Sequence, residues 1–209
     1  MADSVASSPS MRFVRDGERD ELARLVRASW GSSIVTSRGI AREASELPCL
    51  VAVDGERWLG LAAYRVEGDE CELVVLEAFE KGRGIGTALL DATADVARKA
   101  GCRRLWAVTT NDNLDAVRFY QRRGLRLVRL WVDAVTEARQ KLKPEIPLVG
   151  NHGIAIRDEL EFELILTDPA GGATGPRPLP VAPPAVPALP GAWSGTPAAQ
   201  AGHVAAPGS

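Results

Sequence analysis

The stretch from Glu72 to Ala100 constrains this chain more than any other part of it. An apolar run, Leu73-Val74-Val75-Leu76, leads into Lys81-Gly82-Arg83-Gly84-Ile85-Gly86-Thr87, and a long amphipathic segment leaves it. Strand, glycine loop and helix in that order make an anion site from main chain alone. Glycines let successive N–H groups turn toward one point, and the helix N-terminus adds unpaired donors and a partial positive charge. The expected ligand is a phosphate or pyrophosphate. A P-loop is excluded because no Gly-Lys-Ser/Thr follows. A dinucleotide fingerprint is excluded because position 87 is Thr where its third glycine belongs. What remains is Lys81-x-x-Gly84-x-Gly86, and for the loop taken alone a ligand-free strand-to-helix turn explains the glycines equally well.

The flanking pattern is that of one mixed α/β domain. A short strand is expected at 11–15, then a helix at 18–30 with Leu22, Leu25, Val26 and Trp30 on one face, ended by Gly31. Residues 38–47 read as a short second helix stopped by Pro48. Strands at 49–53, 57–66 and 70–76, joined at Asp54-Gly55 and Gly68-Asp69, form an antiparallel row. The helix at 84–100 turns Ile85, Leu89, Ala92 and Val96 inward and stops at Gly101. Residues 104–109, apolar on both faces, read as a central parallel strand reached by a right-handed crossover. Asn113 caps a helix at 114–123, Gly124 ends it, and a strand at 125–132 and a helix at 135–143 follow. Leu160, Phe162, Leu164 and Leu166 alternate with Glu159, Glu161 and Glu163 as a half-buried strand.

From Asp168 the composition shifts: this end holds ten of the fourteen prolines and only two charged residues, Asp168 and Arg177. It is expected to be a disordered tail, 168–209, beyond a folded domain at 11–167 and a flexible start at 1–10. A hydrophobic content of 45% is enough for one real core. A net charge of -2 gives no footing for nucleic acid. Cys49, Cys71 and Cys102 form no CxxC pair and read as reduced thiols, hence a cytoplasmic setting. Neither a signal-peptide pattern nor an apolar run near the ~20 residues of a membrane helix is present.

Two motifs in order carry a family resemblance. Lys81-x-x-Gly84-x-Gly86 resembles the Gln/Arg-x-x-Gly-x-Gly/Ala signature of the GCN5-related N-acetyltransferases (GNAT), with Lys losing the planar fork of Arg. Asn113, Ala116, Phe119-Tyr120 and Gly124-Leu125 are similar to that family's second motif, with Leu for its last aromatic. The resemblance spans about residues 14–132. It implies a mixed sheet of about seven strands with helices on both faces, and acetyl-CoA as co-substrate. It also implies that the strand before the loop bulges and parts from the next parallel strand, so that pantetheine bonds to the main chain of Val74, Val75 and Leu76. The pyrophosphate would lie on Lys81, Gly82, Arg83, Gly84, Ile85, Gly86 and Thr87. Asn113 bonds near pantetheine or only caps its helix.

The resemblance makes Tyr120 the general acid that protonates the leaving thiolate. An ordinary thiol near ~8.5 and a phenol near ~10 differ by about 1.5 units; the other reading is a packed aromatic. Glu72 is the chosen general base, with Glu70 next. Strand alternation puts these two on one face and Glu77 on the other, and a solvated strand end is the alternative for each. His152 is a further candidate substrate contact or an incidental residue. The acceptor is expected between Gly31–Arg38 and Ala134–Gly153, with Trp30, Ser32, Ser33, Thr36 and Arg38 as candidate contacts. The implied activity is N-acetyl transfer by direct attack in a ternary complex, without metal and without a cysteine nucleophile. Its acceptor is an amine-bearing small molecule or a protein amino group, and a homodimer is left open. A non-catalytic acyl-CoA-binding sensor or interaction module is the alternative.

Overall fold

The computed structural model describes residues 9–166. The expected tail at 168–209, with Trp193, and nearly all of the expected flexible start lie outside the described residues. Strand β1 (Ser10–Phe13) leads through a 3-10 turn into helix α1 (Arg19–Trp30). The entry is fixed by Glu18, whose carboxylate takes both guanidinium nitrogens of Arg12 at 2.7 Å and the main-chain N–H of Arg15 at 2.9 Å. Leu22 and Val26 are its buried stripe, and Gly31 ends it in the left-handed conformation.

The short helix expected at 38–47 is not there. Strands β2 (Ile34–Ser37) and β3 (Ile40–Glu43) form a hairpin instead, followed by a single 3-10 turn. Arg38 and Gly39 are both left-handed, at φ 50 and 74, which is the geometry of a two-residue hairpin turn. The β-branched run Ile34-Val35-Thr36 favours the pleated form that this turn closes.

Strands β4 (Cys49–Asp54), β5 (Arg57–Glu67) and β6 (Glu70–Ala78) follow in the expected antiparallel row. Helix α2 (Ile85–Lys99) crosses over to β7 (Arg104–Thr110), which pairs parallel with β6. Helix α3 (Leu114–Arg122), strand β8 (Arg126–Trp131), helix α4 (Ala134–Lys141) and strand β9 (Glu159–Ile165) complete the described chain. The seven strands lie in the order β1-β4-β5-β6-β7-β9-β8, a mixed sheet as expected.

Each face of the sheet has its own core. Helices α2 and α3 cover one face through Ile85, Leu89, Leu90, Ala94, Ala97 and Tyr120, against Leu73, Leu105, Ala107 and Phe162. Helix α1 and the hairpin cover the other through Leu22, Val26 and Val35, against Val51, Leu61, Val74 and Val75. Ala92 and Val96, expected on the inner stripe of α2, pack only at its margin, and Leu90 and Ala94 take the centre. A fully buried leucine such as Leu89 contributes about 2 kcal/mol of transfer free energy.

The fit of α2 on β5 depends on Gly60. A Cβ there would lie 2.6 Å from the carbonyl oxygen of Glu77 and 2.8 Å from Ile85 Cγ2. The carbonyl belongs to paired β6 and cannot withdraw. Gly60→Ala is therefore expected to destabilise the domain by about 1–3 kcal/mol. Urea unfolding checks this, and an unchanged midpoint would show that α2 does not seat on β5 as described.

Candidate active site

The site begins with one unmatched residue. On β5 and β6, Ala63 pairs with Val75 and Tyr64 with Leu73, so Val74 has no partner and forms a bulge. After it the strand's phase reverses. Val74 and Val75 both point to the α1 side, while Leu73 and Leu76 point to the α2 side. This corrects the expected placement of Glu77. Simple alternation put it opposite Glu70 and Glu72, but the extra residue returns it to their face, where Trp30 Nε1 of α1 donates to its Oε2 at 3.0 Å.

Just past the bulge the sheet opens. Parallel pairing of β6 with β7 runs from Glu70 with Arg104 to Leu73 with Ala107 and then stops. Both strands continue. Val75–Ala78 stays on β5, and Val108–Thr110 stays on β9. The facing edges of Val74–Ala78 and Val108–Thr110 are thus not paired with each other. Main-chain groups there are available to an extended ligand, as in strand addition.

The free edge of β6 runs toward the glycine loop. Gly82 and Gly84 are left-handed at φ 80 and 74, Gly84 is the N-cap of α2, and no side chain caps that end. The first N–H groups of α2 therefore have no partner within the helix. Lys81, Gly82, Arg83 and Gly84 are exposed, and a Cβ on Gly82 or Gly84 would meet nothing within 4 Å. Their open backbone and the helix N-terminus fit a pyrophosphate. Arg83 is engaged with Glu80, at 2.5 Å, and Arg57 holds the same carboxylate at 2.7 Å. Lys81 makes no ion pair among the described residues.

Across the gap, Asn113 caps α3, its side-chain oxygen accepting from Ala116 N at 3.1 Å. Capping explains that oxygen and leaves the amide nitrogen over. Tyr120 is buried on the α2 side, its ring 5.4 Å from that of Phe162 and 5.6 Å from that of Phe119. Burial pushes its phenol up to about 12. The gap to an ordinary thiol widens from the expected 1.5 to about 3.5 units. A thiolate formed in the same dry surroundings would also be raised, which narrows it again. Burial also pushes the thiols of Cys49 and Cys71 up to about 12, so neither is poised as a nucleophile.

The α1-side face of β6, β7, β9 and β8 is polar and largely dry. Glu72 is 3% exposed, with Arg42 at 3.4 Å and Arg65 at 4.0 Å, yet neither of its oxygens accepts a hydrogen bond. It lines a cavity of about 40 Å³ with Arg38, Arg65, Glu67, Glu70 and Trp106. Glu159 and Glu161 are buried too, which overturns the expectation of a strand with one wet face. Arginines fill that face. Arg104 donates to Glu163 at 2.7 Å, to Glu70 at 3.2 Å and to Glu161, while Trp131 Nε1 donates to Glu161 at 2.8 Å. Burial raises the Glu159 carboxyl; the N–H of Arg38, at 2.8 Å, opposes this, and the charges of Glu72 and Glu161 add to it.

The two segments expected to flank the acceptor do meet here. Lys143 Nζ, just after α4, donates to the carbonyl of Ile34 at 2.8 Å, and Arg38 at the hairpin tip reaches Glu159. Several expected contacts have structural duties instead. Ser32 accepts from Ile34 N, and Ser33 bridges Arg27 and Glu43. Thr36 is half-buried within β2, and His152 is exposed and makes no hydrogen bond or ion pair among the described residues. Asn151 beside it is held by Asp112 through two hydrogen bonds, 2.8 and 2.9 Å. Arg42, Arg65, Trp106, Glu159 and Glu161 were not anticipated. They lie on four strands far apart in sequence, β3, β5, β7 and β9, brought together by the sheet order and by the seating of the hairpin on it.

The model of the acetyltransferase (GNAT) family matches residues 14–125. The chain is 40% identical over 139 residues to the uncharacterized protein YdhI of Bacillus subtilis (strain 168), covering 66% of this chain and 86% of that one. It is 42% identical over 144 residues to YxbD of the same organism, covering 68% and 89%. The chain belongs to the GNAT family. Among solved structures, its fold is similar to that of an IAA acetyltransferase from Bacillus cereus, with TM-score 0.57, 18% identity, and coverage of 76% of this chain and 100% of that one. A Bacillus subtilis acetyltransferase in complex with CoA gives TM-score 0.56, 18% identity, and 77% and 100% coverage. The ribosomal-protein-S18-alanine N-acetyltransferase of Escherichia coli gives 0.55, 13% identity, and 80% and 100%.

The raised Glu159 carboxyl has a measurable consequence. A carboxyl whose folded pKa lies above its unfolded one is penalised when ionised, so it weakens the fold at neutral pH and ceases to do so once protonated in both states. Glu159→Gln keeps an acceptor for the Arg38 N–H and removes the charge. It is expected to melt higher than the parent at pH 7, with the difference vanishing below about pH 4. Thermal melts across that range check the sign, and a lower melting point at pH 7 would refute it.

Proposed function

We propose that the protein is an acetyl-CoA-dependent N-acetyltransferase acting by direct attack in a ternary complex. The observation that carries this reading is the pair of free strand edges beyond Leu73 and Ala107, beside the uncapped N-terminus of α2. Acetyl-CoA, when bound, supplies an acetyl group activated as a thioester. Main chain of Val74, Val75 and Leu76 holds the pantetheine arm. The N–H groups from Gly82 through Thr87, with the charge of Lys81, hold the pyrophosphate, and the amide nitrogen of Asn113 donates toward pantetheine.

On the acceptor side Glu72 takes the proton that an ammonium must lose before it can attack, directly or through the small cavity beside it. A C–N bond then forms, the attacking nitrogen sheds its second proton to solvent, and the C–S bond breaks. Tyr120 gives its phenolic proton to the departing sulfur and regains one from solvent as products leave. Its raised pKa keeps that proton in place over the whole working range. An amine acceptor is supported by the buried carboxylates and by the neighbour whose name makes it an alanine N-acetyltransferase. A small amine or a protein amino group meets that requirement. The three free, buried thiols suit a reducing, cytoplasmic setting.

Acetyl-CoA is expected to raise the melting temperature, and no stabilisation would refute the donor site. Gly84→Val forces a β-branched residue into a left-handed cap and is expected to abolish that stabilisation. Tyr120→Phe is expected to lower kcat by about 10²- to 10⁴-fold with acetyl-CoA binding retained. In the parent, kcat should stay level through about pH 10, where an ordinary phenol is half ionised. Undiminished turnover in the Phe variant would remove Tyr120 from the reaction.

A further inference from the structure

The acceptor face carries a cation where an acceptor would bind. The guanidinium of Arg38 lies over two indoles, 4.2 Å from the centroid of Trp106 and 5.5 Å from that of Trp131. It reaches them from the hairpin tip in a left-handed backbone conformation, a place usually given to Asn or Gly. Its hold is loose. The ion pair to Glu161 is 3.9 Å long, the side chain is one-third exposed, and its guanidinium makes no hydrogen bond among the described residues. Arg104, on the same face, donates to three carboxylates.

Arg38 also closes something. It forms part of the wall of the 40 Å³ cavity in which Glu72, 3% exposed, has two oxygens that accept no hydrogen bond. With Arg38 withdrawn, six carboxylates (Glu67, Glu70, Glu72, Glu159, Glu161 and Glu163) face four guanidiniums (Arg42, Arg65, Arg104 and Arg129, the last 4.6 Å from the Trp131 centroid). Such a face wants a cation back, and two indole rings with a carboxylate beside them suit one.

We propose that Arg38 is an internal stand-in for a second cationic group on the acceptor, which is therefore a short diamine or polyamine. The charged nitrogen takes the place of the Arg38 guanidinium over Trp106 and Trp131, against Glu161. The other nitrogen lies by Glu72 at the parted strands. The two places are one to two strand spacings apart, about 5–10 Å, the reach of a short alkyl spacer. Displacing Arg38 opens the route to Glu72, so the acceptor's own charge admits it. The acetyl-transfer chemistry rests on the function proposed above; the binding does not.

Calorimetric titration of the full chain with diaminobutane and with butylamine tests this. Diaminobutane should bind tighter by roughly an order of magnitude. Arg38→Ala removes the competitor and should tighten diaminobutane about two- to five-fold, while Arg38→Lys should restore the parent value. Should the Ala variant fold poorly, Arg38→Gln gives the same reading with the stem retained. Equal affinities for the two amines, no heat from diaminobutane, or weaker diaminobutane binding without the Arg38 charge would each overturn the proposal. Diaminobutane that binds as expected but is never acetylated would refute the transfer reaction and leave the cation site standing.

Discussion

A single unpaired residue, Val74, is what the rest of the site depends on. Strands β5 and β6 count differently across it, so β6 leaves the bulge rotated and bent. One consequence is local: two successive valines pack into the α1-side core, and three glutamates, Glu70, Glu72 and Glu77, come to one face. The other is global. A strand still held by β5 but bent past the bulge loses its partner β7 after four residue pairs. The unpaired edge, normally a liability that a fold conceals, here leads to the uncapped helix end that offers more N–H donors.

The polar side of the sheet follows a second constraint. Burying a carboxylate costs several kcal/mol unless a partner restores what water supplied. Arg104 meets that need for Glu161 and Glu163 with direct hydrogen bonds, its own side chain 12% exposed. Glu72 is served only by ion pairs at 3.4 and 4.0 Å, leaving its oxygens short of donors. The interior thus satisfies its neighbours and under-serves this one.

The order of elements was legible because glycine and alternation mark it. Gly31, Gly101 and Gly124 stop helices where their left-handed φ values require them. The hairpin of β2 and β3 is poorly marked in the sequence because its turn is Arg-Gly rather than Asn-Gly. In β9 the period of two was plain, but alternation says only that two faces differ. It cannot say that the glutamate face is dry, since the arginines and tryptophans that cover it come from β2–β3, β7 and β8. The bulge left no mark in Leu73-Val74-Val75-Leu76, where every residue is apolar and either phase buries well. The glycine loop, Asn113 and Tyr120 can be nominated from sequence because each lies in a short contiguous motif. Trp106 and Arg65 come together through the strand order, and Arg42 joins them through the seating of the β2–β3 hairpin.

The two halves of the site differ in what they are made of, and this decides how far family membership reaches. The proposed donor contacts are main-chain groups of β6, the loop and α2, which many side chains can present provided the bulge and the glycines persist. Likeness to solved neighbours at 18% identity and below shows the fold that would present such groups. The acceptor face is built from side chains, and a single guanidinium or indole changes its charge and shape. Membership therefore argues strongly for the donor and weakly for the acceptor. For the acceptor the weight falls on individual side chains such as Arg38, whose guanidinium lies 4.2 Å from the Trp106 centroid.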